Sequence, residues 1–225
     1  MYFPVLRCLC LIQVFDILEL KHYTSQNKRI DMSRKLEILE TARRLFNESN
    51  TQAVTTNHIA KEMGISPGNL HYHYKNREEI IRLLYKKMRE EMTLSIAELP
   101  QTLEELNEHQ KILINIQWEY RFFFREILFL FSRDSELEKI YIADNIAHRS
   151  RIKKSIEIFI QNGELDIPYR HLLEYVVDSV LMSWQFYTSY MQTLGKPIHC
   201  KSAEEAVIYA NHAMEPFRKD VNASA

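Results

Sequence analysis

The side chains between Ser66 and Arg77 have the chemistry needed to contact nucleic acid. The amide of Asn69 can donate and accept hydrogen bonds together, which suits the N6 and N7 groups of adenine. Gly68 has no side chain, so the backbone there can approach another molecule closely. Lys75 and Arg77 follow as cations that can neutralise phosphates. The segment therefore predicts a short surface that reads base edges and is flanked by positive charge.

The sequence has no residue pattern typical of metal binding, a disulfide framework, catalysis or a phosphate-binding loop. His71 and His73 are two positions apart, which turns them to different faces of a helix and argues against a metal site. The three cysteines, Cys8, Cys10 and Cys200, have neither a disulfide framework nor zinc spacing. No pattern of nucleophile, histidine and acid stands out, and no two glycines have phosphate-loop spacing. The sequence thus predicts a protein that is not an enzyme and has no metal and no cofactor.

A pair of short helices must position these side chains. Thr55 can cap the first helix, and Gly64 ends it after about two turns. Ser66 is suited to the N-cap of the second helix and Pro67 to its first position. Two short helices joined by a tight glycine turn form a helix-turn-helix unit.

The remainder of the chain also has helical patterns. Only four glycines occur in 225 residues, which is too few for the many tight turns of a sheet-rich fold. Apolar residues recur at spacings of three and four, and Ser202 with Glu205 suggests a capping box at the start of the last helix. The predicted helical segments are 34–48, 76–99, 103–131, 135–162, 168–194 and a last one from 202 that includes Phe217.

Charge divides the chain into parts of opposite sign. Residues 32–90 contain 11 Lys and Arg against 7 Asp and Glu, whereas residues 91–225 contain 14 against 20. A basic module joined to an acidic one suggests that the small part meets a polyanion. We therefore divide the chain into a helix-turn-helix domain at 32–78, a connecting helix at 79–99 and a larger helical domain at 100–225.

The first 31 residues match no pattern downstream. Either translation starts at Met32, or the segment is an apolar arm that docks on the body of the protein. In the second case it could also attach to a membrane or use Cys8 and Cys10 as thiol sensors. No stretch is long and apolar enough for a membrane span and no signal peptide is evident, so we expect a cytoplasmic protein.

Residues 34–90 resemble the DNA-binding domain of the TetR family of bacterial regulators. The resemblance rests on Ala42-x-x-Leu45-Phe46, Val54-Thr55-Thr56, Ile59-Ala60, Gly64-Ile65-Ser66, the run 70–74 (LHYHY) and the run 75–80 (KNREEI). Asn50-Thr51 departs from the glycine and aromatic that the family usually has in this turn. The run from Trp118 to Arg125 is similar to one subgroup of the family's ligand domains.

The resemblance implies an all-α protein that binds double-stranded DNA as a homodimer on a palindromic operator, with repression relieved by a small apolar or amphipathic effector. Activation, or regulation without a ligand, remains open. The expected DNA contacts are Thr55, Thr56, Ser66, Pro67, Gly68, Asn69, His71, Tyr72, His73, Lys75 and Arg77.

The larger domain is expected to hold the effector and the dimer interface. Seven aromatic residues fall within 118–131, which suggests an apolar cavity between helices. Arg121 and Arg125 could meet an anionic ligand there, or could pair with Glu119 or Glu126. The candidate pocket residues are Trp118, Tyr120, Arg121, Phe124, Arg125 and Trp184. The candidate dimer residues are Tyr187, Met191, Val207, Ala210 and Met214. The alternative is that these seams pack within the protomer, and we expect both uses, one for each face.

Overall fold

The computed structural model describes residues 31–95 and 98–219, and within them every regular element is helical apart from one isolated bridge between Leu165 and Arg218. The all-α prediction is thereby confirmed. The prediction for residues 1–31 lies outside the described residues except for Asp31. The helices are α1 (31–48), α2 (Thr56–Glu62), α3 (Pro67–His73), α4 (Arg77–Ser95), α5 (Leu103–Glu119), α6 (Arg121–Arg133), α7 (Ser135–Gln161), α8 (Arg170–Thr193) and α9 (Lys201–His212), with a 3₁₀ turn at Glu215–Phe217.

The helix-turn-helix unit forms through the local signals of its sequence. The Thr55 hydroxyl accepts from the N–H of His58, and the Ser66 hydroxyl accepts from the N–H of Asn69, so both helices start at a capped N-terminus. Gly64 has φ +64°, a left-handed conformation that most other residues adopt only with strain. The chain thus reverses in a tight turn between α2 and α3.

Helix α4 joins this unit to the larger domain without a gap in the core. Ile80 and Leu84 are fully buried, and they belong to one continuous cluster that extends from Ile38 in α1 to Tyr141 in α7. Phe46 of α1 packs on Phe122 of α6 with ring centroids 5.3 Å apart. The two units therefore share one core. A displacement of one unit is transmitted to the other through these packed side chains.

The helical pattern over 103–131 is interrupted at Tyr120, which the apolar spacing did not reveal. Tyr120 has φ −113° and ψ 27°, and it separates α5 from α6. Asn47 of α1 bridges the interruption, since its amide nitrogen donates to the Glu119 carbonyl at 2.7 Å and its oxygen accepts from the Phe122 N–H at 3.0 Å. A single irregular residue leaves the apolar phase almost unchanged, so periodicity alone does not detect it.

Helices α7 and α8 are antiparallel. The contacts Lys153–Glu174, Arg149–Asp178 and Asn145–Gln185 follow each other in opposite chain directions along the two helices. Helix α7 ends before Gly163, which has φ +80°, as the sequence predicted.

The start and end of α9 differ from the prediction. Cys200 precedes the helix without a side-chain cap, so the predicted capping box of Ser202 and Glu205 is wrong. Instead the Ser202 hydroxyl accepts from the His199 N–H, and Glu205 accepts from the hydroxyl of Tyr187. Phe217 lies beyond the helix in the 3₁₀ turn. The hydroxyl of Tyr187 on α8 therefore binds the carboxylate that a capping box would require.

Replacing Asn47 tests the bridge across Tyr120. We expect Asn47→Ala to lower the free energy of unfolding by about 1–3 kcal/mol, because it leaves the buried Phe122 N–H without a partner. Urea unfolding followed by circular dichroism measures the change. Asn57→Ala, at an exposed position of α2, should stay within about 0.5 kcal/mol of the original protein. Equal stability of the two variants would contradict the role of Asn47.

Candidate nucleic-acid interface and inner cavities

The N-terminal half of α3 forms an exposed polar surface. Ser66, Pro67, Gly68 and Asn69 are all exposed, while Leu70 directly after them is fully buried and anchors the helix. The next turn adds two more exposed residues, His71 and Tyr72, and Tyr72 is 80% exposed. The fold thus places the predicted base-reading residues together on the outside of the protein.

Gly68 and Asn69 have no internal role that explains their residue types. A Cβ at Gly68 would meet only the Ser66 hydroxyl oxygen, at 4.0 Å, so packing within the protein does not require a glycine. Within the described residues, the side-chain amide of Asn69 makes no hydrogen bond, although its backbone N–H is used by the Ser66 cap. Both positions are therefore available to an external partner.

Two of the predicted DNA contacts point inward instead. The side chain of His73 is only 6% exposed, and its Nδ1 lies 3.2 Å from a carboxylate oxygen of Asp31. The guanidinium of Arg77 donates to the Thr51 carbonyl at 2.6 Å and pairs with Glu78 at 3.0 Å. Both residues were predicted to contact DNA, but the His73 side chain is buried beside Asp31 and the Arg77 guanidinium is bound by Thr51 and Glu78. Neither side chain therefore belongs to the exposed surface of α3.

The start of α2 has fewer groups available for contact with a phosphate than the sequence suggested. Thr55 is exposed, but its backbone N–H donates to Nδ1 of His58 and its hydroxyl caps the helix. Thr56 is half-buried. Lys75 has an exposed side chain beyond the end of α3, while its backbone N–H donates to Glu79 at 2.7 Å. Lys75 is thus the predicted cation that faces solvent.

Two cavities lie among the helices of the larger domain. The first has a volume of about 100 Å³ and its wall is mainly apolar, with Leu106, Ile156, Phe159, Val180 and Met214 among its lining residues. The second has a volume of about 300 Å³ and lies between α4, α7 and α8. Four residues line both cavities, which makes the two spaces neighbours: Leu113, His148, Arg151 and Trp184.

A polar contact in the wall of the second cavity ties α7 to α4. The Tyr85 hydroxyl donates to one carboxylate oxygen of Asp144 at 2.9 Å, and Arg89 lies 3.1 Å from the other oxygen. Burial, reinforced by the hydrogen bond to Asp144, raises the pKa of Tyr85 far above its usual value. The phenol therefore stays protonated and acts as a donor. We call this three-residue cluster the Asp144 latch.

His148 stands between the two cavities in its neutral form at pH 7. Burial and the nearby charge of Arg151 lower the pKa of its imidazole below the ordinary value. In the same wall, the side-chain amide of Gln185 donates to Asn145 across the α7–α8 contact. These groups add polar atoms to the wall of the second cavity, where the buried hydroxyl of Tyr141 has no hydrogen-bond partner among the described residues.

Comparison with protein families decides the identity of the fold. The family described as bacterial regulatory proteins of the tetR family matches residues 38–84, and the one described as a bacterial transcriptional repressor matches residues 84–214. The chain belongs to the TetR family. It is accordingly a DNA-binding transcriptional regulator, in a family of regulators rather than enzymes. Among curated proteins, none is significantly similar to the chain in sequence.

Solved structures of other proteins, TetR-family regulators among them, have the same fold. One from Marinobacter aquaeolei VT8 is 23% identical with a TM-score of 0.74, and the match covers 82% of this chain and 91% of that one. The ketosteroid transcriptional regulator KstR2 of Mycobacterium tuberculosis is 17% identical with a TM-score of 0.57, over 83% and 96% of the chains. SmeT in complex with triclosan is 14% identical with a TM-score of 0.55, over 84% and 93%.

In this TetR-family chain, two of the six candidate pocket residues line one of the two cavities described above. Phe124 and Trp184 do so. The guanidinium of Arg121 lies 4.2 Å over the ring of Trp118, outside both cavities. The hydroxyl of Tyr120 donates to Glu91 at 3.0 Å.

Arg125, the remaining candidate, also lies outside the cavities. It donates to the carbonyls of Phe46 and Ser49 and pairs with Glu126, one of the acidic partners that the sequence suggested.

The residues of α7 that do face the cavities were missed. Tyr141, Asn145, His148, Ile152 and Ser155 recur at spacings of three and four and line one or both spaces. Such a mixed polar and apolar stripe along one long helix could have been noticed, because a purely structural face would not need so many polar groups. The many aromatic residues of 118–131 instead led to a prediction of pocket residues on α5 and α6.

The five candidate dimer residues are all buried within the protomer. Tyr187, Met191, Val207, Ala210 and Met214 are each at most 7% exposed. They form the contact of α8 with α9 and its surroundings, in line with the alternative that these seams pack within the protomer. A second stripe, which we call the outer α8–α9 face, is exposed instead. It consists of Tyr175, Met182, Phe186, Tyr190, Ile208 and Tyr209.

Neither a metal centre nor a membrane span is found among residues 31–95 and 98–219. In this part of the chain, no group of three or more histidine, cysteine or acidic side chains is placed to hold a metal ion. None of the described helices has the length and apolar character needed to cross a membrane.

Proposed function

We propose that this TetR-family chain is a ligand-responsive repressor that binds a two-fold symmetric operator as a homodimer. The observation that carries the proposal is the exposed N-terminal half of α3, where Gly68 and Asn69 have no internal role. In helix-turn-helix proteins the second helix lies in the major groove with its N-terminal residues at the base edges. The arrangement of this surface fits that geometry.

Individual roles follow from side-chain chemistry. Asn69 would read an adenine with its amide, and Pro67 would contact a thymine methyl group. Gly68 would allow the backbone to approach the DNA closely. His71, Tyr72 and Lys75 lie farther along and would contact base edges or phosphates, and the hydroxyls of Thr55 and Thr56 would reach a phosphate beside α2. His73 and Arg77 would instead hold the reading unit in shape.

The response to a ligand would run through the Asp144 latch. Asp144, Tyr85 and Arg89 all line the second cavity, and two of them belong to α4, which leads directly to the reading unit. A ligand that binds one arrangement of this latch better than another would shift the position of α4 and hence the affinity for DNA. SmeT, which has a similar fold, has been solved in complex with triclosan, and this supports a small-molecule ligand for the present chain.

The homodimer would form through the outer α8–α9 face. Apolar and aromatic side chains at positions 175, 182, 186 and 190 fall on one side of α8, because spacings of seven and four return to the same face. Several exposed apolar and aromatic side chains on one side of a helix are typical of an interaction site. A two-fold contact would place two copies of α3 to meet the two halves of a palindrome.

Selection of bound sequences from random double-stranded DNA tests the proposed function. We expect the protein to enrich an inverted repeat. Asn69→Ala should lose discrimination at one position of each half-site, at a cost of about 1–3 kcal/mol against the preferred base. Enrichment of a single unrepeated site, or no enrichment at all, would contradict the proposal.

Lys75 and Arg77 form a matched pair for testing which cation meets phosphate. We expect Lys75→Ala to reduce the slope of log affinity against log salt by about 0.9 for each phosphate that is no longer neutralised, because fewer counterions are released. Arg77→Ala should lower stability, because it removes the hydrogen bond to the Thr51 carbonyl, but it should leave the slope unchanged. Titrations of labelled duplex at several salt concentrations measure both, and a lower slope for Arg77→Ala alone would reverse the assignment.

Phe186→Asp tests the dimer. Because Phe186 is partly exposed within the protomer, the substitution should leave the fold intact while placing a charge in the interface. We expect a dimer mass for the original protein and a monomer mass for the variant in sedimentation equilibrium at micromolar concentration. Leu94→Lys, at an 82% exposed position of α4 outside this face, should remain dimeric. A monomeric original protein would disprove the interface.

A further inference from the structure

The second cavity has a mainly apolar wall. Most of its lining surface is apolar, and the wall includes the rings of Tyr85, Phe124, Tyr141 and Trp184. Flat aromatic rings pack well against side chains of this kind. The wall therefore favours a ligand that is apolar over most of its surface, and the few polar groups determine what else the ligand must carry.

The ionised side chains of this wall already have partners. Asp144 accepts from Tyr85 and pairs with Arg89 in the Asp144 latch. Arg151 is likewise engaged, in part by the Glu98 carbonyl at 3.4 Å. An ionised ligand would have to compete for these contacts and give up its water in a mainly apolar space, which costs free energy. The wall thus favours a ligand without charge.

Gln185 and Asn145 form what we call the amide pair, on the α7–α8 side of the cavity. The Gln185 amide nitrogen donates to the Asn145 oxygen, and both residues line the cavity. The Gln185 oxygen and the Asn145 nitrogen have no hydrogen bond with any described residue, so the pair still offers at least one acceptor and one donor. Rotating both amides by 180° would reverse the bond between them and would leave the same two kinds of group free.

The free atoms of the amide pair face open space, although Gln185 itself is only 7% exposed. In the described part of the chain, the polar side-chain atoms that are buried without a partner include the Tyr141 hydroxyl but neither free atom of the amide pair. For a side chain as buried as Gln185, the open space is the cavity that it lines. The amide pair is therefore an unsatisfied polar group within reach of a ligand.

We propose that the second cavity binds a neutral, mainly apolar molecule through a hydroxyl group, as in a phenol, which donates to one amide of the pair and accepts from the other. A hydroxyl is a small neutral group that can do both. An ether or a ketone only accepts, so it would leave the amide oxygen unpaired in a space from which water has been displaced. The inference rests on the proposed function, because it names the ligand class of the cavity described there.

Four naphthalene compounds that differ in one substituent test this ligand class. The cavity of about 300 Å³ has room for two fused rings, since a cavity of about 150 Å³ holds benzene. Naphthalene, 2-methoxynaphthalene, 2-naphthol and 2-naphthoate are each dialysed to equilibrium against the full-length protein at pH 7, where the hydroxyl is protonated and the carboxyl is ionised. Absorbance measures the bound amount.

We expect 2-naphthol to bind at least tenfold more tightly than naphthalene or 2-methoxynaphthalene, because a site that hydrogen-bonds a hydroxyl rejects analogues that leave its polar groups unpaired. The anion 2-naphthoate should bind most weakly, because the charged side chains of the wall are already engaged.

Replacing glutamine by leucine locates the hydroxyl. Gln185→Leu keeps a side chain of similar size but removes the amide, so it should weaken 2-naphthol binding at least tenfold and leave naphthalene binding unchanged. Gln192→Leu makes the same change at an exposed position of α8 that lines neither cavity, and it should bind 2-naphthol like the original protein. Unfolding midpoints show whether both variants retain the fold, and the unsubstituted protein with the four probes remains informative if Gln185→Leu does not.

Several results would overturn the inference. These are equal binding of 2-naphthol and 2-methoxynaphthalene, tightest binding of 2-naphthoate, no binding of any probe, or equal losses for Gln185→Leu and Gln192→Leu. The outcome is separable from that of the proposed function. A protein that prefers 2-naphthol but selects no DNA sequence contradicts only the regulator mechanism, whereas one that selects an inverted repeat but prefers 2-naphthoate contradicts only the ligand class.

Discussion

The contact between α1 and α6 holds the reading unit in a fixed relation to the rest of the molecule. A helix that stops at Tyr120 and restarts leaves a carbonyl and an N–H that must find partners when they are buried. Asn47 supplies both partners from α1. One turn farther along α6, the Glu126 carboxylate accepts from the N–H and hydroxyl of Thr51. The loop between α1 and α2 is thereby fixed by polar contacts from a helix more than seventy residues away in sequence.

Helix α4 depends on this fixed loop and extends its influence to the cavities. Its first residue, Arg77, donates to the Thr51 carbonyl, its apolar face lies in the shared core, and its middle carries Tyr85 and Arg89 to the second cavity. A close-packed core transmits displacement and does not absorb it. One helix thus faces the reading unit at one end and the second cavity along its middle.

Helix α8 shows how one element can serve two surfaces. Its inner side, with Tyr187 and Met191, is buried against the protomer, while its outer side exposes Met182, Phe186 and Tyr190. Both sides are apolar and both repeat with spacings of three, four or seven. Hydrophobic periodicity indicates that a helix has an apolar face, but two such faces on one helix leave open which one meets the protomer's own core.

The sequence by itself determined the features that depend on neighbours a few residues apart. The caps at Thr55 and Ser66, the turn at Gly64, the end of α7 before Gly163 and the helical class of the chain were all predictable from local spacing. Tertiary structure alone decided the direction of Arg77 and His73, the interruption at Tyr120, the side of α8 that stays exposed and the cavity residues on α7. Each of these depends on partners from other elements, such as Asn47 for Phe122 at a separation of 75 residues. Residue type and periodicity specify what a side chain can bind, but only packing brings the partner within reach.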